Sequence, residues 1–284
     1  MQSVTDTKLT IASLSARNID IPLAENFATS QGTLRVAKNI FVKITLSDGI
    51  CGFGECAPFE AVTGESRAAT NTALKKIDGE IVGRPVSEYR KISQLMNELV
   101  SANPAARCGV ETAMLDCFCR SQGIPLWKLW SDPEKQSYIT DITIPIADAS
   151  DTLQLARRWR KRGFRMLKMK VGKKLDKDVD VIIKIADALS DVSFVIDANE
   201  GFSESEALSM IKALKKASVN VHLIEQPIAR GDLEGMARIR SESPFPICAD
   251  ESASTVENVT QIIKANAADV INIKIMKSGV IESC

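Results

Sequence analysis

The second half of the chain alternates between short apolar runs and longer amphipathic stretches, and this alternation constrains the fold more than any other feature. Strands that alternate with helices are typical of βα units, which pair in a parallel sheet. The even spacing favours a (β/α) barrel of the TIM type over an open sheet, and a full barrel has eight strands. Because the chain ends about ten residues after the sixth run, we expect an incomplete barrel of about six strands. The predicted strands lie near residues 139–146, 165–170, 193–197, 220–225, 246–249 and 269–274.

The first half has a different pattern. Up to about residue 58 the apolar residues alternate as in strands, and from about 67 to 126 their period becomes helical. A polar loop that contains Ser30 and Gln31 is expected over residues 22–37. We therefore predict an N-terminal α+β domain of three strands followed by helices over residues 1–130, and a partial barrel over residues 131–284.

The overall composition excludes several classes of partner. Lysine plus arginine equals aspartate plus glutamate at 36 each, so no basic field exists to attract nucleic acid or acidic membranes. No apolar stretch approaches the roughly 20 residues that span a bilayer. Seven cysteines without a C-x-x-C pair indicate reduced thiols and a cytoplasmic protein. The expected partner is a small molecule, and a homo-oligomer remains an open alternative.

Three of the apolar runs end in a carboxylate, at Asp197, Glu225 and Asp250. The carboxyl ends of barrel strands carry the chemistry of this architecture. Three carboxylates at one edge repel each other unless a cation neutralises them, and Mg²⁺ prefers such oxygen ligands. The alternative interpretation is that each residue caps the helix that follows its strand. The set of three favours a metal site.

Three lysines stand at the ends of two other strands. Lys168 and Lys170 are two residues apart, so they share a face, and we expect each ammonium to lower the pKa of the other. Lys274 ends the sixth predicted run, across the ring from Lys170. A base on each side of a metal-bound carboxylate could remove and return an α-proton and so invert a stereocentre. The alternative is that the two neighbouring lysines are surface residues.

The order K-x-K, D, E, D, K resembles the enolase superfamily, which pairs a lysine or histidine base with Mg²⁺. The pattern is similar to the muconate-lactonizing-enzyme subgroup and differs from the mandelate racemase subgroup, which has a histidine at the later base position. Within the subgroup the chain most resembles dipeptide epimerases of the L-Ala-D/L-Glu type. The motifs that carry the resemblance are residues 168–172, 197–202, 224–227, 249–252 and 272–277.

The resemblance implies a Mg²⁺-dependent epimerase that inverts the α-carbon of the C-terminal residue of a dipeptide. The reaction would be a two-base 1,1-proton transfer through an enediolate, with one Mg²⁺ per subunit and the N-terminal domain capping the barrel. The implied bases are Lys170 and Lys274, and Lys168 would tune Lys170. The implied metal ligands and their supporting residues are Asp197, Glu225, Asp250, Asn199 and Glu251.

Other activities remain open within the subgroup: muconate cycloisomerase, o-succinylbenzoate synthase and N-acylamino acid racemase. The family usually has two glycines after the last catalytic segment, whereas here Gly279 is followed by Val280. The acidic pair that holds the dipeptide ammonium group in dipeptide epimerases would lie beyond residue 284. A C-terminally truncated, inactive fragment is therefore the alternative from a different class.

Overall fold

A computed structural model describes residues 9–29, 32–130, 137–145 and 148–284. The chain divides into two compact units. The N-terminal unit holds the described residues up to Ala24, those from Val36 onward to 130, and the segment Lys274–Cys284. The C-terminal unit holds the described residues of Glu25–Arg35 and Gln136–Ile273.

The N-terminal sheet has three strands in the order β1–β2–β3, with β2 and β3 antiparallel. Three strands were expected, but the predicted loop over residues 22–37 is wrong. Strand β1 continues to Thr29 and β2 begins at Gly32, while Ser30 and Gln31 lie outside the described residues. Residues 20–24 are exposed, so a strand there does not require the alternation of apolar and polar residues from which strands are predicted. The strands are Ile11–Thr29, Gly32–Leu46 and Cys51–Cys56.

The predicted change to helices after residue 67 is confirmed. The longest helix, α4, lies directly on β3, and a Cβ atom at Gly54 would come 2.0 Å from the Gly109 carbonyl oxygen. Such backbone contact is open only to glycine. The helices of this unit are α1 Glu60–Thr63, α2 Arg67–Ile81, α3 Tyr89–Leu99, α4 Pro104–Gln122, α10 Ile275–Ser278 and α11 Val280–Ser283, with 3₁₀ turns at Val86–Glu88 and Leu126–Leu129.

Glu65 joins the segment after α1 to the start of α4. Its carboxylate is buried and accepts hydrogen bonds from the Ala105 backbone N–H at 2.5 Å and from Asn103 Nδ2 at 3.0 Å. An anion at a helix N-terminus satisfies orphan N–H groups and interacts favourably with the helix dipole. Glu65 is therefore a structural cap of α4.

The C-terminal unit contains a parallel sheet of six strands in sequential order, as predicted. Its largest apolar cluster consists of residues from the strands and from the helices that alternate with them. The strands are β4 Ile142–Ile144, β5 Met166–Lys170, β6 Ser193–Asp197, β7 Val221–Glu225, β8 Ile247–Ala249 and β9 Val270–Ile271. The helices are α5 Ala149–Lys161, α6 Leu175–Ala188, α7 Glu204–Lys216, α8 Leu233–Glu242 and α9 Val256–Ala265.

The sixth strand is shorter than predicted, which corrects the expectation that Lys274 ends it. Asn272 still donates its backbone N–H to the Ala249 carbonyl at 2.8 Å, but Lys274 is the N-cap of helix α10. The Lys274 carbonyl accepts from the Lys277 N–H at 2.9 Å, so this helical turn uses a backbone acceptor that a longer strand would need. Within the described ranges, no helix is long and apolar enough to cross a membrane.

Candidate active site

The register of the parallel sheet brings the charged strand ends to one level. Lys170 is the register partner of Asp197, and Asp197 is the partner of Glu225. Asp250 follows the end of the next strand, β8. The three acidic residues are almost fully buried, at 0%, 3% and 1% exposure. Parallel pairing in this register therefore gathers three buried carboxylates and a lysine at the carboxyl ends of neighbouring strands.

Lys168 lies between two of these carboxylates. Its Nζ donates to both oxygens of Glu225, at 2.8 and 2.7 Å, and lies 2.9 Å from Asp197 Oδ2. Charge-assisted bonds at these distances are strong, and the lysine side chain is only 14% exposed. The ammonium group thus holds Asp197 and Glu225 on either side of itself, and Lys168 is not a surface lysine.

Lys170 is fixed by a second pair of acceptors. Its Nζ donates to Asp197 Oδ2 and to Asn199 Oδ1, each at 2.6 Å. Asn199 has a left-handed backbone with φ of 43°, which asparagine tolerates, and its side chain also donates to Glu251 Oε1 at 3.0 Å. A lysine ammonium has three donors, and two of them are oriented by these contacts. Asn199 thus contacts Lys170 directly and links Glu251 to it, and the supporting role of both residues stays a prediction.

The pKa values in the cluster follow from burial and from the placement of two ammonium groups, Lys168 and Lys170, beside Asp197 and Glu225. Burial alone would raise the pKa of Asp197, but the charges of Lys170 and Lys168 outweigh it and hold that pKa below its usual value. Glu225 has one lysine and faces Asp197, so burial and the Asp197 charge raise its pKa to about 7. Burial lowers the pKa of Lys168, yet Asp197 and Glu225 raise it well above the ordinary value. The expected lowering by its neighbour lysine is therefore wrong for Lys168.

The alternative that the three acids are helix caps is also wrong. The helices that follow their strands are capped by Ser203, Asp232 and Thr255, and each of these side chains accepts a backbone N–H. The acids are therefore free of that structural role.

Among the residues that the structure describes, no group of three histidine, cysteine or acidic side chains could hold a metal ion as the side chains stand. The Lys168 ammonium bridges Asp197 and Glu225. The donor set still fits a hard cation, because Asp197, Glu225 and Asp250 are buried oxygen ligands. Within the same described part of the chain, the buried Oε2 atom of Glu251 has no hydrogen-bond partner. The ligand assignment itself stays a prediction.

Two further residues contact this cluster. Both lie within the sequence motifs described above, but no role was predicted for them. Gln226, with φ of 37°, is fully buried, and its Oε1 accepts the backbone N–H groups of Asp250 at 3.0 Å and Ser252 at 3.1 Å. Asn272 Nδ2 donates to Glu225 Oε1 at 2.9 Å. Gln226 follows the β7 acid directly and fixes the loop of the β8 acid. That adjacency is the sequence feature that could have identified it.

A cavity of about 450 Å³ lies over this part of the sheet. It is lined by Lys168 and Glu225 together with His222, Cys248 and Asn272. A cavity of this volume is typical of a small-molecule site. The third predicted lysine, Lys274, belongs to the N-terminal unit, where it begins α10, and its role as a base stays a prediction.

Known proteins match both halves of the chain. Residues 13–130 match the mandelate racemase / muconate lactonizing enzyme N-terminal domain, and residues 151–284 match the enolase C-terminal domain-like family. The aromatic dipeptide epimerase of Herpetosiphon aurantiacus is 37% identical over 96% of this chain and 77% of that protein. The L-Ala-D/L-Glu epimerase of Thermotoga maritima is 32% identical over 86% of this chain and 70% of that protein.

A solved structure agrees with these matches. The dipeptide epimerase of Enterococcus faecalis in complex with Mg and the dipeptide L-Leu-L-Tyr has a TM-score of 0.93 and 32% identity, and covers 96% of this chain and 77% of that one. The buried K-x-K, D, E, D set on successive parallel strands and the matches to both domains lead to one conclusion. The chain belongs to the mandelate racemase / muconate lactonizing enzyme family of the enolase superfamily.

Proposed function

We propose that the chain is an isomerase, a Mg²⁺-dependent dipeptide epimerase that inverts the α-carbon of the C-terminal residue of a dipeptide. The relatives described above are named dipeptide epimerases, and the Enterococcus faecalis structure holds Mg and a dipeptide. The observation that carries the proposal is the arrangement of Lys168 and Lys170 at the carboxyl edge of the sheet, where buried acids and Asn199 fix their ammonium groups. Lys170 is oriented by Asp197 and Asn199, and Lys168 by Asp197 and Glu225.

In this proposal Lys170 and Lys274 are the two bases. Inversion requires one group that removes the α-proton and another that returns a proton to the opposite face. Lys170 is suited to the task because its Nζ is held in place by two acceptors at 2.6 Å, which limits the entropy lost on reaching the reactive geometry. Lys168 pairs with both Asp197 and Glu225 and so changes the charge that Lys170 experiences.

Mg²⁺ would be held by Asp197, Glu225 and Asp250. When bound, the ion supplies positive charge to a substrate carboxylate, which makes the neighbouring α-proton more acidic. Burial and the Asp197 charge raise the pKa of Glu225, and the unpartnered Glu251 Oε2 adds a further buried acceptor. Both features fit a site that receives a cation.

The test is a panel of L,L-dipeptides incubated with the protein in D₂O and Mg²⁺ and followed by mass spectrometry, with N-succinyl amino acids as a second panel. We expect deuterium at the α-carbon of the C-terminal residue, together with the L,D product. Lys170→Ala and Lys274→Ala should each abolish epimerisation. Near-normal epimerisation in both directions by Lys274→Ala would contradict the two-base mechanism, and turnover of the second panel alone would favour an acylamino acid racemase.

We also propose a cytoplasmic location. All seven cysteines are free thiols, and five of them are buried. Burial raises the pKa of Cys117 and Cys248 to about 12, so these thiols are inert rather than reactive. Free thiols in this number are typical of a reducing compartment. Fractionation of cells that express the tagged protein is the direct measurement.

A further inference from the structure

A buried carboxylate in helix α4 holds the segment that follows Lys274. Glu111 is 0% exposed, and its Oε2 accepts the backbone N–H groups of Val280 at 2.6 Å and Ile281 at 3.2 Å. Its Oε1 accepts the Ser93 hydroxyl of helix α3 at 2.5 Å. All four residues belong to the N-terminal unit. One side chain thus ties two helices of this unit to the first turn of α11.

Gly279 permits this close approach. It has φ of 86°, and a Cβ atom there would lie 2.7 Å from Glu111 Oε2. A larger residue would therefore be strained by its backbone and would also collide with the carboxylate.

Helix α10 connects this contact rigidly to Lys274. The Lys274 carbonyl accepts from the Lys277 N–H at 2.9 Å, and the Ile275 carbonyl accepts from the Gly279 N–H at 2.7 Å. The backbone from 274 to 279 is thus one hydrogen-bonded turn whose far end meets Glu111. A change of the carboxylate would shift the turn as a unit, together with the lysine that begins it.

We infer that Glu111 is a positioning residue: its buried carboxylate, by holding the N–H groups of Val280 and Ile281, fixes the place from which Lys274 acts on the α-carbon. This inference rests on the proposed function, in which Lys274 is the second base. Glu111 itself exchanges no proton with substrate. Its charge matters because hydrogen bonds to an ionised acceptor are about twice as strong as neutral ones.

The first test measures the contact without reference to activity. Hydrogen exchange, read by mass spectrometry on peptides within 275–284, should be faster by about tenfold in Glu111→Gln, since the neutral amide accepts more weakly. Ser93→Ala should give a smaller change in the same peptides. Glu65→Gln is the matched control, because Glu65 is also buried and also accepts a backbone N–H, at Ala105. It should leave exchange in 275–284 unchanged.

The second test separates positioning from general destabilisation. Exchange of the α-proton with D₂O is measured separately on the L,L and L,D dipeptides. One of the two epimers should lose its α-proton exchange in Lys274→Ala. For that epimer, Glu111→Gln should lower the exchange rate by about 10- to 100-fold, as expected for a misplacement of the order of 1 Å. The other epimer, which depends on Lys170, should keep its rate within about threefold. A merely structural role would slow both epimers alike.

Unchanged exchange in 275–284, or equal slowing of both epimers, would overturn the inference. Gly279→Ala is an independent variant, because its new methyl group would collide with the Glu111 carboxylate. It should reproduce the slower α-proton exchange of the same single epimer. If the unaltered protein exchanges neither epimer, the proposed function fails. The hydrogen-exchange measurement then still decides whether Glu111 holds the segment, so the two failures can be distinguished.

Discussion

Removal of the Lys168 ammonium is the sharpest test of the charge balance at the strand ends. Lys168→Met keeps most of the apolar stem but leaves Asp197 and Glu225 without their shared cation, which lies 2.7 to 2.9 Å from their oxygens. Loss of one partner from a buried ion pair costs about 3–5 kcal/mol. We expect Lys168→Met to lower the free energy of unfolding by about 3 kcal/mol at pH 8, the low end of that range, because the carboxylates can relieve part of the cost by taking up a proton.

The loss of unfolding free energy in Lys168→Met should depend on pH in a defined direction. Without the lysine we expect the pKa of Glu225, which burial and the Asp197 charge already raise to about 7, to rise further. The pKa of Asp197, which Lys170 and Lys168 hold below its usual value, should rise as well. A raised carboxyl pKa means that stability is greatest below the unfolded value near 4.5 and is lost as pH rises through the folded pKa. The difference in unfolding free energy between the unaltered protein and Lys168→Met should therefore become smaller as pH falls from 8 toward 5.

The assay is urea unfolding with EDTA and again with saturating Mg²⁺. In the unaltered protein we expect Mg²⁺ to compete with the Lys168 ammonium for Asp197 and Glu225. Lys168→Met removes that competitor, although Asp197 keeps its ion pair with Lys170. The gain in unfolding free energy on adding Mg²⁺ should thus be larger in the variant. Lys184→Met is the control, because Lys184 pairs with Asp180 at the exposed surface and should change stability by less than about 1 kcal/mol. Equal stability in EDTA, or an equal Mg²⁺ gain, would refute the reasoning.

Three further predictions test separate parts of the structure. Gln226→Leu leaves two backbone N–H groups after β8 without their acceptor and should lower the free energy of unfolding in urea by about 2–6 kcal/mol, since each buried unpaired donor costs about 1–3 kcal/mol. Mg²⁺ affinity measured by calorimetry should rise as pH increases through about 7, because the Glu225 carboxyl must lose its proton before it can bind the ion. Gly54→Ala should lower thermal stability severely through the collision with α4, whereas Gly79→Ala, in helix α2 with nothing within 4 Å of the new methyl group, should raise stability by about 0.5–1 kcal/mol.

The parallel sheet and the grouping of charges could be predicted from the sequence because both depend on local pattern. Apolar runs of strand length that alternate with helical periods allow few topologies, and parallel pairing places the last residue of each strand at one edge. The positions of Lys170, Asp197 and Glu225 followed from this reasoning, and the structure places them as register partners.

The parts that could not be predicted depend on three-dimensional distances. The pKa of Lys168 was expected to fall because the neighbouring lysine is two residues away in the sequence, whereas its ion pairs with Asp197 and Glu225 depend on distances between strands. Residues 22–24 of the predicted loop are exposed, so their pattern did not indicate a strand. Glu111 carries no local feature at all, because its backbone partners at 280 and 281 lie 169 and 170 residues along the chain.

The alignment of Lys170, Asp197 and Glu225 across β5, β6 and β7 has a consequence for how the chain avoids misfolding. A slip of one residue in β6 would turn every side chain of that strand to the other face. Asp197 would then enter the apolar layer that contains Ile196, where an unpaired carboxylate is strongly unfavourable. Each charged strand end thus penalises the shifted pairings of its own strand. Residues retained for chemistry also select the correct sheet, and apolar replacements that strengthen the folded state would weaken that selection.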